Sequence, residues 1–155
     1  METTPIQQDL LADSEIILVE ATTGQRFLNW LIDNLLMQFA LSYASGILWG
    51  IFLGVFFPEF LDGLVEGSGS YYLLTFLIAY TNYLFYYTLC EKAMQGRTLG
   101  KLITGTKAVR LNGDPLTLKD AFMRSLVRIV PFEAFSGFGT PWHDSWTDTT
   151  VIKTR

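Results

Sequence analysis

Arg26-Phe27-Leu28-Asn29-Trp30-Leu31-Ile32-Asp33-Asn34-Leu35-Leu36 opens a stretch that stays almost wholly apolar as far as Phe57. From Leu35 to Phe57 it holds no Asp, Glu, Lys or Arg, and a helix of roughly 20 such residues crosses the hydrocarbon of a bilayer. The stretch is therefore expected to be a transmembrane helix. Asp33 is its exception. It lies about two helical turns beyond Arg26, just inside the apolar span. An ionised carboxylate there costs up to about 2.5 to 3.5 kcal/mol at the helix centre, and less near the headgroups. Another part of the chain has to compensate it.

Composition agrees with a membrane setting. Half of the 155 residues are hydrophobic and only 17% are charged, too apolar for the surface of an ordinary soluble domain of this size. The net charge of -4, without a basic stripe interleaved with aromatics, argues against nucleic acid as a partner. Cys90 stands alone, which excludes an intramolecular disulfide and a cysteine zinc site. His143 is the single histidine, so a multi-histidine metal centre is excluded, and no cofactor is expected. His143-Asp144 could orient an imidazole for base catalysis, but no Ser or Cys nucleophile has a recognisable setting. Structural capping is the better reading, with Trp142 and Trp146 as interfacial anchors, and no enzyme is expected.

Residues 1–23 carry Glu2, Asp9, Asp13, Glu15 and Glu20 and no Lys or Arg, which reads as an acidic cytoplasmic tail rather than a signal peptide. Ile16-Ile17-Leu18-Val19 within it is expected to be a short strand outside the bilayer. Thr22 to Gln25 fits a capping box at the start of the first membrane helix, residues 24–57. Gly46, Gly50 and Gly54 recur every fourth position and would let another helix come close. Pro58 ends the helix, and the acidic loop that follows leads to a second uncharged span at 71–90, flanked by Tyr71, Tyr72, Tyr86 and Tyr87. Its polar members Asn82, Thr75, Thr81 and Thr88 are expected to bond across to Asn34 or Gln38, or back to their own helix. After Cys90 come Lys92, Arg97, Lys101, Lys107, Arg110, Lys119, Arg124 and Arg128, and the positive-inside rule puts both termini in the cytoplasm.

Beyond the spans lies a segment, 96–117, with a glycine and lysine motif and a hairpin. Gly96, Arg97, Gly100 and Lys101 form either a headgroup- or phosphate-binding loop or, as the favoured reading, a tight turn along the membrane with its basic residues toward anionic lipid. Thr106 to Leu111 alternates as a strand, and Asn112-Gly113 is a turn signal. Residues 118–136 read as an amphipathic helix with Asp120, Arg124 and Arg128 every four residues on one face. Such a helix would be interfacial or partly inserted, its Arg stems reaching the headgroups, and Pro131 should bend or end it. In the terminal block, 137–155, Thr149 to Lys153 is a strand that could pair with Ile16–Val19 or Thr106–Leu111.

These pieces resemble the RDD family of small bacterial membrane proteins, named for one arginine and two aspartates. Arg26 and Asp33 resemble the family's arginine and first aspartate, and Gly96-Arg97-Thr98-Leu99-Gly100-Lys101 its motif after the second helix. Asn112-Gly113-Asp114-Pro115-Leu116 leading to Arg124 and Arg128 resembles its turn and arginine-bearing helix, and His143-Asp144 the block with the second aspartate. The resemblance implies a multi-pass protein of the bacterial inner (plasma) membrane; some members are proposed to be cation/proton antiporters. Many members carry a longer third hydrophobic segment between the arginine helix and the His-Asp block. Here Arg128 and His143 are close, so a third full span is not expected.

The expected architecture is an all-α membrane protein: a two-helix transmembrane hairpin, an interfacial amphipathic helix and short cytoplasmic β-strands. Arg26, Asp33, Arg124, Arg128 and Asp144 are expected to form a charge network in which each buried carboxylate has a cation. The favoured function is a non-enzymatic membrane module or accessory subunit latched together by that network. Its partners would be the bilayer with its anionic headgroups and a second copy or another membrane protein. The alternative is an oligomeric small-ion or proton-coupled cation transporter with Asp33 as the exchanging carboxylate.

Overall fold

The computed structural model describes residues 18–137 and 139–154. Helix α1 (Thr23–Leu36) starts at the expected capping box: the Thr22 hydroxyl accepts from the Gln25 amide at 3.2 Å, and the Gln25 side chain accepts from the Thr22 amide at 3.0 Å. It continues through a π-helical turn (Met37–Leu41) into α2 (Ser42–Phe56), one rod of 34 residues. The π turn was not legible in the sequence. Its widened ring takes an extra bond, from the Ser42 hydroxyl to the Met37 carbonyl at 2.9 Å. Phe57 leaves helical geometry, and Pro58, which has no amide to lose, becomes the first residue of a short α3 (Pro58–Asp62). Helix α4 (Gly69–Ala93) runs back, capped by Ser68.

Among the described residues, two helices are thus long and apolar enough to cross a membrane. Their burial is inverted relative to a soluble core. Phe39, Tyr43, Leu48, Ile51, Phe76 and Leu77 are exposed, α2 buries no residue, and the buried residues are Asn29 and Asp33 in α1 and Tyr86, Tyr87, Thr88 and Glu91 in α4. Polar atoms therefore converge at one end of the pair, where α1 begins and α4 finishes. The other end is loosely joined. Gly46 and Gly50 meet nothing within 4 Å, so the helix approach expected on the glycine face is not made among the described residues, and a cleft of about 520 Å3 lies there instead. Asn82 does reach across the hairpin, but to Ser45 at 2.6 Å. Asn34 bonds back to Trp30 and Thr75 to Tyr71, each on its own helix.

Past α4 the chain turns at Gln95 and Gly96, both with positive φ, into α5 (Leu99–Thr104), which packs on α1. A Cβ on Gly96 would land on the carbonyl of Ala108, so only glycine fits this crossing. Strand β1 (Thr106–Arg110) pairs antiparallel with β2 (Thr149–Lys153), Thr106 opposite Lys153 and Arg110 opposite Thr149. The other edge of β2 takes the N-terminal segment: Ala21 donates to Val151 at 2.8 Å, Lys153 to Val19 at 2.9 Å, and Glu20 lies opposite Ile152. Of the two pairings open to the terminal strand, the one with Thr106–Leu111 occurs, and of Ile16–Val19 the described Val19 accepts from Lys153. Ile16 and Ile17 lie outside the described residues. Ala21, Ala108, Leu116 and Val151 make the small apolar core beneath.

Helix α6 (Leu118–Val127) departs from expectation twice. It is 10 residues long rather than reaching 136, stopping four residues before Pro131, whose ring would clash with the Val127 carbonyl. Phe132 then takes a left-handed turn into the one-turn helices α7 (Glu133–Ser136) and α8 (Trp142–Ser145). The second departure is orientation. Phe122, Met123 and Leu126 face outward, while Asp120, Arg124 and Ser125 are buried. The arginines do not reach for headgroups; they point into the protein, against α4.

Candidate functional site

The site forms where the apolar rods end and four short elements are gathered against them. Asp33, on the inner face of α1, is 1% exposed. Its Oδ1 accepts from the Tyr86 hydroxyl at 2.7 Å and the Gly100 amide at 2.8 Å, and its Oδ2 from the Thr98 hydroxyl at 2.6 Å. Thr98 in turn accepts from the Lys101 amide at 3.3 Å, capping α5. The compensation required of the sequence is present, but it is a cradle of neutral donors, and among the described residues no cation pairs with Asp33. The expected role of Asp33 in the ion network is corrected accordingly. Gly100 makes the cradle possible: a Cβ there would lie 2.5 Å from the Asn29 carbonyl and 3.0 Å from Asp33 Oδ1.

The ion pairs centre instead on Glu91, the last acid of α4, which is wholly buried. Lys101 Nζ lies 2.7 Å from its Oε1, Arg128 Nη2 2.9 Å from the same oxygen, and Arg124 Nε 3.0 Å from its Oε2. Arg124 spans two acids, since its Nη1 also reaches Asp144 Oδ1 at 2.6 Å and bonds to the Thr149 hydroxyl. Asp144 Oδ2 pairs with Arg26, which also donates to the Ala21 carbonyl and lies 3.8 Å from Glu20 on the surface. Arg128 completes its surroundings with the face of Tyr87, 4.5 Å from the ring centre. Arg26, Arg124, Arg128 and Asp144 are thus joined in one network, and Glu91 and Lys101 join it where Asp33 was expected.

Placement explains the chemistry of each group. Burial pushes the Asp144 carboxyl up, but Arg124 and Arg26 more than reverse this and leave it below the ordinary carboxylate range. Burial pulls the Lys101 ammonium down, Glu91 draws it back up, and with Arg128 and Arg124 nearby it settles at about 8. His143 Nδ1 is hydrogen-bonded to Glu133, behind the network. Burial and then the surrounding cations lower the imidazole, while burial raises the Glu133 carboxyl. A neutral imidazole is the consequence near neutral pH.

The sequence-expected motif Gly96 to Lys101 therefore turns inward. Gly96, Gly100 and Lys101 are buried and Arg97 half-buried, so Lys101 serves Glu91 and does not face lipid. Glu91 and Glu133 were missed. The signal for Glu91 was available: an acid directly after 20 uncharged residues, on the same face as Tyr87 one turn earlier. Thr98 likewise had the cap signature, a hydroxyl before a helix start.

The arginine and the second aspartate of the sequence pattern are thus in direct contact, and the first aspartate is locked onto the glycine and lysine motif. The RDD family model matches residues 20–148, a stretch that includes all of these groups. The chain belongs to the RDD family. No curated protein and no solved structure matches it. In this RDD chain the matched region runs from Glu20, beside β2, to the residue preceding that strand, so it takes in both candidate spans and the whole of the buried network.

Proposed function

We infer that this RDD protein is a non-enzymatic module of the bacterial inner membrane, with both termini cytoplasmic, whose charged end acts as a rigid latch and whose outer helix faces meet a partner. The observation that carries the reading is Arg124. Fully buried, it bridges Glu91 on the second span to Asp144 in the terminal block, while Lys101 and Arg128 share Glu91. Such a cluster holds one geometry, because parting any pair leaves a buried charge uncompensated at roughly 3 to 5 kcal/mol. The loosely packed outer half of the hairpin, with its exposed glycine face, supplies surface for a second copy or another membrane protein.

Exchange of a proton or cation at Asp33 is the weaker reading. Both of its oxygens are engaged by three donors, and releasing them for an ion costs about 1.5 to 3 kcal/mol per charged hydrogen bond. Extraction in mild detergent, with cross-linking and size analysis, tests the module reading: a homo-oligomer or a stoichiometric partner supports it, and a strict monomer without a partner counts against it. Reconstitution in proteoliposomes decides between the two. Cation-driven proton movement in wild type that Asp33→Asn abolishes would replace the module with a transporter.

A further inference from the structure

The sequence leaves open whether the segment after the second span lies along the membrane interface or enters it, and the direction of α6 decides. The helix begins at the small sheet, where Leu116 shares a core with Ala108 and Val151 and Arg110 of β1 pairs with Asp120 at 2.7 Å. It then runs inward along α4. Arg124 meets Glu91, the Ser125 hydroxyl lies 3.1 Å from that of Thr88, the Arg128 guanidinium lies 4.5 Å from the ring centre of Tyr87, and Ile129 shares a cleft of about 360 Å3 with Tyr83 and Tyr80. These partners recede from the last turn of α4 toward its middle, over roughly 16 Å from Glu91 to Tyr80 at 1.5 Å per residue. The return limb follows α1. Glu133 lines the same small cavity as Asp33 and Tyr83, Phe135 borders another with Phe27 and Trp30, and Asp144 arrives at Arg26. Helices α6 and α7 are therefore two limbs of a hairpin laid beside the ends of the rods, with its turn at Pro131-Phe132.

What this hairpin presents outward suits hydrocarbon. Between Asp120 and Trp142 the charged residues Asp120, Arg124, Arg128 and Glu133 are all turned inward, and every exposed residue among those described is uncharged. Exposed charge returns only with Lys119 on one side and Asp148 on the other. Exposure is greatest at the turn and just past it, 75% at Phe132 and 69% at Phe135. Backbone at membrane depth has to be satisfied inside the protein, because lipid offers it no partner. The amides of Ile129, Val130, Glu133 and Phe135 donate to the carbonyls of Leu126, Val127, Val130 and Phe132, and Pro131 has no amide to satisfy. On the α1 side the apolar face continues into Phe27 and Trp30, so the rods and the turn share one kind of surroundings.

We propose that the segment from Leu126 to Phe135 is a re-entrant turn seated among the acyl chains of the leaflet at the charged end, with Phe132 and Phe135 in contact with lipid. The inference rests on the membrane reading above and adds a third element at bilayer depth, one that enters and leaves by the same side. Acyl chains then cover the outer face of the arginine-bearing helix and keep water from the pairs it makes with Glu91.

The test is spin-label accessibility of the full chain in vesicles of phosphatidylethanolamine and phosphatidylglycerol. The chain carries Cys90→Ala and one new cysteine at a time: Phe132→Cys or Phe135→Cys, with Leu77→Cys on the second span and Lys119→Cys at the start of α6 as references. Collision with oxygen is expected to exceed collision with a water-soluble nickel chelate several-fold at positions 132, 135 and 77, and the order to reverse at 119. A label at 132 that favours the chelate while the one at 77 favours oxygen overturns the re-entrant turn and leaves the membrane reading standing. Preference for the chelate at 77 as well removes both. Low collision with either reagent at 132 places a protein surface there and overturns lipid as the occupant. Should these variants fail to fold, hydroxyl-radical footprinting of the unaltered chain in the same vesicles decides: oxidation of Phe132 as low as that of Phe76 is expected, and a several-fold higher value overturns the proposal.

Discussion

Arg26 and Asp144 form an ion pair although 118 positions separate them in the chain. The first turn of the first candidate span is thereby tied to the last helix, and Arg124 holds the other oxygen of the same carboxylate. Asp144→Asn takes the shared acid from the partly buried Arg26 and leaves the fully buried Arg124 with Glu91 alone, at an expected cost of up to about 3 to 5 kcal/mol. Arg26→Gln leaves Asp144 with Arg124 and should cost less, roughly 1 to 3 kcal/mol. Melting of both single variants and the double variant in detergent checks this: additivity would show that the pair does not couple the two ends.

Glu91→Gln is expected to be the most damaging single change in the network. It removes the acid shared by Lys101, Arg124 and Arg128 and leaves three buried cations, so folded yield in membranes should fall to near background. Replacing Lys101 with Met leaves two arginines on Glu91 and should be far milder. A comparison of detergent-stable protein across the two variants reads the difference.

The glycines separate into two kinds. Gly100→Ala pushes a methyl against the Asn29 carbonyl and Asp33, so α5 must lift away from α1 and the cradle opens; the expected loss is about 1 to 3 kcal/mol, as for overpacking in general. Gly46→Ala and Gly50→Ala meet open space and should leave monomer stability within about 0.5 kcal/mol. An effect of the latter two on oligomer size without an effect on melting would locate a helix partner on that face.

The pH response has the same sign at the two ends of the scale. Arg110 and the Thr117 cap hold the Asp120 carboxyl at about 2, and Asp144 also titrates below its ordinary value. Carboxylates held low in the folded state contribute stability above about pH 4, the unfolded range, and lose it as pH falls toward the folded values. Lys101 acts in the same direction on the alkaline side. Between about 8 and the ordinary 10.4 of lysine, the unfolded chain keeps a proton that the folded one has released. Stability due to this residue rises across that window, and the gap between wild type and Lys101→Met should widen from pH 8 to 10.

Local features were the legible ones. The capping box at Thr22, the two spans and the turn at Asn112-Gly113 all rest on contacts within a few residues or on hydrophobic length. What the sequence did not carry was direction. Arg124 and Arg128 mark a charged stripe on α6, but the stripe alone does not say whether it faces water or the interior, and the habit of soluble helices suggests the former. In the structure the apolar face turns outward and the charges pair inside. Asp33 was misread for a related reason: a cation was expected, whereas the neutral donors Tyr86, Thr98 and Gly100 do the same task from three separate segments.

The position of Asp144 late in the chain sets an order of events during synthesis. Arg26, Lys101, Arg124 and Arg128 leave the ribosome before the second acid of the network exists, and β2 comes later still. Until translation reaches that point, Glu91 is the acid of the network that Lys101, Arg124 and Arg128 have to share, and Arg26 has Glu20. Maturation is then the arrival of a second internal counter-charge, completed only when the segment carrying Asp144 folds against the helices.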